Sequence, residues 1–267
     1  SRCYAAESVI YMTTGNIDRG MKEYSLESAI CKIFGSEALW DVIDMGMQIA
    51  AGNGYMKEYP YERIMRDSRI NLVFEGTNEI LRVFVALSGM KGPSESLKDL
   101  GKISDVSHVM KDPIKSVGVL TDFAKKRISN MFVTKTLTQA HRELEEESDQ
   151  FTASLSSFSI QVENTLIKYG KNIIGNEYPQ GRIANMAIEL YMQLAVISRT
   201  TSILNNEDVS KDKKNYVLKL AKLALNDSRH RFTASLKSMS KNNDKMVNEV
   251  SNKLCEQEGY GLDVVDY

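Results

Sequence analysis

Apolar side chains recur every three or four residues along nearly the whole chain, and only 4 prolines interrupt its 267 residues. That spacing is the period of a helix with one buried face, whereas a half-buried strand alternates at every second position. The clearest run is 182–204, where Ile183, Met186, Ala187, Leu190, Tyr191 and Leu194 fall at offsets 0, 3, 4, 7, 8 and 11. Leu26, Ala29, Ile30, Ile33 and Phe34 repeat the pattern, and their helix is predicted to run to about Ala51 with Ser25 as its N-cap. Further helices are predicted over 1–17, 62–69, from Asn78 (which can cap its own helix), over 114–132, from about Phe151, over 215–237 and around Met246, Val250 and Leu254. The chain is therefore expected to be all-α.

Gly89, Gly92, Pro93, Gly101 and Pro113 predict an irregular connection over 88–113. Two helical bundles are expected, with divisions at 1–91, 92–150 (a basic linker and amphipathic region) and 151–267. The acidic run RELEEESD, 142–149, reads as a solvated face. With 34 basic and 35 acidic side chains the net charge is -1, so global charge gives no argument for nucleic acid or a membrane. Cys3, Cys31 and Cys255 lie far apart without CxxC spacing, which favours neither a disulfide framework nor a zinc site and suits a reducing compartment. His108, His141 and His230 have no histidine three or four residues away, so no metal site is expected. The chain opens at Ser1 inside a helix-like stretch and reads as a fragment, so the lack of a leader carries little weight.

The segment FEGTNE, 74–79, resembles the catalytic segment of the acyl-CoA dehydrogenases, in which Glu-Gly-Thr follows an aromatic residue. Upstream, QIAAGNGYMKEYPYERIMRDSRI, 48–70, resembles the glycine-rich segment and Arg-Asp of that family, at matching spacing. SLESAICKIFGSEA, 25–38, resembles the helix before them. ENTLIKYGKNII and IELYMQLAVISRTTSIL resemble pieces of the C-terminal helical extension of the very-long-chain branch. The resemblance implies the family's C-terminal helical bundle followed by a second helical bundle. It places an N-terminal helical domain and a middle β-domain before residue 1, and implies weak or no FAD binding and no activity for the fragment alone.

The implied reaction is α,β-dehydrogenation of a long or very-long-chain acyl-CoA to the 2-trans-enoyl-CoA, with FAD as cofactor. It needs a base for the α-proton, the role implied for Glu75. Leu72, Val73 and Phe74 can supply a desolvating wall, and Gly76 lets backbone approach the substrate closely. The resemblance also implies a backbone N–H that polarises the thioester carbonyl. Gln48, Ile49, Ala50, Ala51 and Gly52 align with the family's FAD-contact segment, which in a homodimer reaches the nucleotide of the other subunit. Ala51 departs from the usual double glycine there, which puts close phosphate approach at that residue in doubt. Thr77, Asn78 and Glu79 also resemble FAD contacts.

Local readings stay open beside these. Glu75 also suits a carboxylate placed by a helix dipole, Gly52 and Gly54 a helix C-cap, and Thr77 to Glu79 ordinary capping. Arg63, Arg66, Asp67 and Arg69 read mainly as an ion-paired structural cluster. Residues 91–135 carry nine Lys or Arg against five acids; with the apolar face from Val117 to Met131, the resemblance implies contact of 114–132 with the inner mitochondrial membrane, while a helix packed on its own domain fits equally. Electrons would pass to electron-transfer flavoprotein in mitochondrial β-oxidation. Two rival readings are a respiratory complex I assembly factor and an acyl-CoA oxidase; the ending VVDY is not a peroxisomal tripeptide.

Overall fold

The computed structural model describes residues 1–104 and 137–257, with side chains described to residue 94 in the first stretch. The amphipathic region 114–132 and His108 lie outside the described residues. Every regular element described is helical. The first group is α1 (Arg2–Asp18), α2 (Ser25–Ala50), the single turn α3 (Gly52–Tyr55), α4 (Tyr61–Arg69) with a 3₁₀ turn at Ile70–Leu72, and α5 (Asn78–Ser104). The second group is α6 (Glu145–Tyr169), α7 (Glu177–Asn205), α8 (Lys211–Ser238) and α9 (Asp244–Glu256). None of the described helices is long and apolar enough to cross a membrane.

The run recognised at 182–204 forms the centre of the molecule. Helix α7 packs against α1, α2, α5, α6 and α8. Ile183, Met186, Leu190, Met192 and Val196 are buried along it. Apolar residues on several faces of one helix are what a fully surrounded helix requires. From the first group, Tyr4, Ala5, Val9, Val85, Ala86 and Met90 join the same core. Polar contacts fix the register of α1 on α7: the Tyr4 hydroxyl lies 2.8 Å from Thr200 Oγ1, and Thr13 Oγ1 lies 2.7 Å from the Tyr191 hydroxyl. Arg199 pairs with Glu7 at 2.8 Å and stacks over Tyr4 and Tyr11.

Three local expectations change. Helix α2 is capped by Tyr24 and makes no side-chain cap bond; Ser25 is already helical, and Glu27 supplies the first-turn negative charge instead. Helix α5 runs through Pro93 to Ser104, where the glycines and proline predicted irregular chain. Pro93 removes the N–H that would bond the Gly89 carbonyl and crowds that carbonyl with its ring, but the preceding turns are held by buried Val85, Ala86 and Met90. In the acidic run Glu145 and Glu146 face solvent, but Leu144 and Ser148 are buried and Glu147 turns to Lys222 at 3.2 Å.

Candidate active site

The 3₁₀ turn after α4 leads directly into the Glu75 loop. Val73 and Phe74 both donate backbone N–H groups to the Ile70 carbonyl at 2.9 Å, which closes the turn. Glu75 and Gly76 then take positive φ in succession, 55° and 89°. A positive φ is open to glycine but costs a side-chain-bearing residue, and such strain concentrates where a binding geometry is enforced. Thr77 caps α5, its Oγ1 accepting from Ile80 N at 3.3 Å. The cap expected of Asn78 thus belongs to the residue before it, because Asn78 turns inward. The Glu75 N–H has no acceptor among the described residues.

Asn78 is 2% exposed, and its amide is fully engaged with α2. Its Nδ2 donates to Ser36 Oγ at 3.0 Å and to Glu37 Oε1 at 3.2 Å. Its Oδ1 accepts from Lys32 Nζ at 2.7 Å, and the same ammonium donates to the Gly76 carbonyl at 2.7 Å. Glu37 also pairs with Arg82, whose Nε donates to Asn185 on α7 at 2.7 Å. A small cavity of about 170 Å³ opens beside this network, lined by Glu37, Arg69, Leu72, Val73, Thr77, Asn78 and Glu79. Arg69 lies over the Trp40 ring at 5.7 Å, and Arg66 pairs with Glu62 one turn away on α4.

Glu75 itself is exposed. The apolar wall expected around it is present but open: Val73 and Phe74 are 46% and 47% exposed, and Leu72 is half-buried. Flanking residues in a surface loop can face a ligand without themselves excluding water. Gln48, Ile49, Ala51 and Gly52 are exposed as well, at the other end of α2. There Ala51 takes φ 50 and ψ -130 and turns the chain into α3. Gly54 is buried against that turn, and a Cβ on it would collide with the Met47 carbonyl oxygen. Lys32 and Gln48 are sixteen residues apart on one helix, about 24 Å at 1.5 Å per residue. The structure therefore brings Glu75, Gly76, Thr77, Asn78 and Glu79 together beside the middle of α2, and sets Gln48–Gly52 apart from them.

Residues 1–89 match the family model described as Acyl-CoA dehydrogenase, C-terminal domain, and residues 142–260 match the model described as ACAD9/ACADV, C-terminal domain. The chain belongs to the acyl-CoA dehydrogenase family. It is 39% identical over 206 residues to the mitochondrial very long-chain specific acyl-CoA dehydrogenase of Rattus norvegicus, covering 76% of this chain and 30% of that protein. The Homo sapiens enzyme of the same name is 38% identical over 209 residues with the same coverage. An acyl-CoA dehydrogenase of Bacillus anthracis, crystallised with FAD, superposes with a TM-score of 0.68 at 24% identity, covering 98% of this chain and 48% of that one. That likeness shows the fold. The chain spans about 30% of the length of the curated relatives it matches.

Within this family member, the residues that sequence reasoning missed are Lys32, Ser36, Glu37 and Arg82. Their roles are hard to read locally, because each bonds a partner more than forty positions away. Lys32, Ser36 and Glu37 lie within the family-like segment 25–38, and the polar spacing of Lys32 and Ser36, one turn apart on a largely apolar stretch of α2, is a trace they leave.

Proposed function

We propose that the complete protein carrying this sequence is a FAD-dependent acyl-CoA dehydrogenase of mitochondrial β-oxidation, acting on long and very-long-chain acyl-CoA. The observation that supports it most is the strained Glu75–Gly76 turn, which presents at the surface a carboxylate and a backbone N–H that have no partner among the described residues. A homodimer, electron-transfer flavoprotein as electron acceptor and contact of 114–132 with the matrix face of the inner membrane belong to the same reading.

In this reading Glu75 takes the α-proton onto a carboxylate oxygen as the α,β double bond forms. The Glu75 N–H, which has no acceptor among the described residues, would donate to the thioester oxygen, where negative charge develops. Gly76 keeps that edge of the loop free of a side chain; a Cβ there would also meet Leu81 at 3.2 Å. Bound FAD would supply the acceptor for the β-hydride. The chain offers residues that fit it: the exposed Gln48 amide and Ile49–Ala51 backbone, and Gly52, around which space is open. Thr77 and Glu79 would meet the nucleotide at the first turn of α5. Asn78 would do so by its backbone, since its amide is committed to α2.

The test is palmitoyl-CoA oxidation with an electron-transfer dye, wild type beside Glu75→Gln. Wild type should turn over, and the variant should keep its flavin while kcat falls by at least about 1,000-fold, as expected when the proton acceptor itself is removed. A flavin-bearing wild type that oxidises no acyl-CoA of any length would overturn the assignment.

A further inference from the structure

We propose that Lys32 is a positioning residue for the Glu75 loop, clasping the Gly76 carbonyl and the Asn78 amide so that carboxylate and backbone N–H are held in reactive register. This rests on the reading of Glu75 as the base. Two bonds of 2.7 Å from one ammonium reach both sides of Thr77, so that the loop and the start of α5 are tied to a single point on α2. Charge-assisted bonds of this length are about twice as strong as neutral ones. Asn78 is in turn fixed by Ser36 and Glu37, and the Ser36 hydroxyl donates to the Ile33 carbonyl at 3.1 Å. The clasp therefore stands on the buried part of α2, where Ile33 is 0% exposed.

The loop needs such a tie. Glu75 at φ 55 holds a backbone conformation that side-chain-bearing residues rarely adopt, and it persists only where neighbours enforce it. The Gly76 carbonyl receives its hydrogen bond from Lys32 alone among the described residues. Without that donor, the Gly76–Thr77 peptide can rotate, and the Glu75 carboxylate and N–H turn with it. Burial draws the Lys32 ammonium below its ordinary pKa, and the nearby charges of Glu79 and Glu37 oppose that shift. The ammonium is held by the Gly76 carbonyl and the Asn78 amide oxygen, and the charges of Glu79 and Glu37 favour its charged form.

The experiment uses the flavin-loaded complete protein as wild type, Lys32→Met, Lys32→Arg and Glu75→Gln. Two readings are taken: dye-coupled oxidation of palmitoyl-CoA, and exchange of the α-protons of a 3-thiaacyl-CoA in D2O. The thioether blocks loss of a β-hydride, so exchange reports α-proton removal alone. For Lys32→Met, kcat and α-exchange should both fall about 10- to 100-fold, as displacement of a catalytic group by about 1 Å does, while KM and flavin content stay within about twofold. Lys32→Arg keeps donors for both acceptors on a larger, planar head, and should recover a substantial part of the kcat and exchange that Lys32→Met loses. If Lys32→Met does not fold, Lys32→Gln carries the same expectation.

Unchanged kcat and exchange in Lys32→Met, beside a dead Glu75→Gln, would overturn the clasp and leave the base assignment standing. Equal damage in Lys32→Met and Lys32→Arg with loss of flavin would overturn it too, in favour of a purely architectural lysine. If Glu75→Gln exchanges as fast as wild type, the base reading fails and the clasp fails with it.

Discussion

Ala51 and Gly170 adopt nearly the same backbone conformation, φ 50 with ψ -130 and φ 50 with ψ -129. Each ends a long helix, α2 and α6, and each donates its N–H to a carbonyl of the final turn. Only glycine visits this region without crowding its own Cβ against the backbone. One turn therefore carries the residue the geometry favours and the other does not. Ala51→Gly should stabilise the chain by about 1 kcal/mol, and Gly170→Ala, with open space around its missing Cβ, should destabilise it by about the same amount. Denaturant midpoints of the two variants check this; shifts of the same sign would show that the two turns are not equivalent. The Glu75 motif and the oddity of Ala51 were both legible in the sequence, since each is a local pattern. The strain at Glu75 and the clasp from Lys32 were not, because a backbone angle and a contact across 44 positions leave no mark on neighbouring residue types.

Helix α9 is attached differently from the others. None of its residues is buried, and Met246, Val247 and Val250 are exposed. Its attachment to α7 runs through Arg182, which grips the Asp244 carboxylate with both terminal nitrogens, one at 2.7 Å, and through Tyr178, which donates to Asn248 at 3.2 Å. The Arg182 hydrogen bonds hold Asp244 below its ordinary pKa of 3.8, against the opposing effect of desolvation; the charges of Arg182 and Lys168 add to the lowering. A carboxyl depressed in the folded state contributes stability that is present above its unfolded pKa and lost as pH falls through the folded one. Docking of α9 should thus be insensitive to pH at neutrality and weaken progressively below pH 3.8. At pH 7, Asp244→Asn should speed amide exchange over 244–256 about fivefold, for a loss of about 1 kcal/mol, without moving exchange in α7. Exchange that accelerates equally in both helices would place the pair in the global fold instead. The existence of α9 was readable from Met246, Val250 and Leu254 at helical spacing. Its apolar face turned outward was not, since periodicity identifies a face and leaves its direction open. The same holds for α5: glycine and proline weaken a helix locally, and tertiary packing over Val85 to Met90 decides whether it continues.

At the scale of the whole molecule, the helices on either side of residues 105–136 bury their faces in one another. Helix α7 packs against α1 and α5 of the first group and against α6 and α8 of the second, so its core side chains belong to both groups. The sequence marked the two groups of helices and the strength of α7, but pairing between distant helices is set by shape and by contacts such as Tyr4 with Thr200, 196 positions apart. A shared core predicts shared cooperativity. Trp40, the single tryptophan, sits on α2 in the first group, and its fluorescence reports that group. Far-ultraviolet circular dichroism reports all the helices together. The two signals should therefore trace one coincident urea transition. Met192 is 0% exposed at the centre of α7, so Met192→Ala removes about 2–5 kcal/mol, and both signals should move together to lower urea. A dichroism midpoint that falls while the Trp40 midpoint stays fixed would mean that α2 and the Glu75 loop fold apart from α7. In that case the chain from Asn78 through Arg82 to Asn185 would not couple the loop to the core. Coincident shifts would instead make the stability of α7 a condition for the geometry of Glu75.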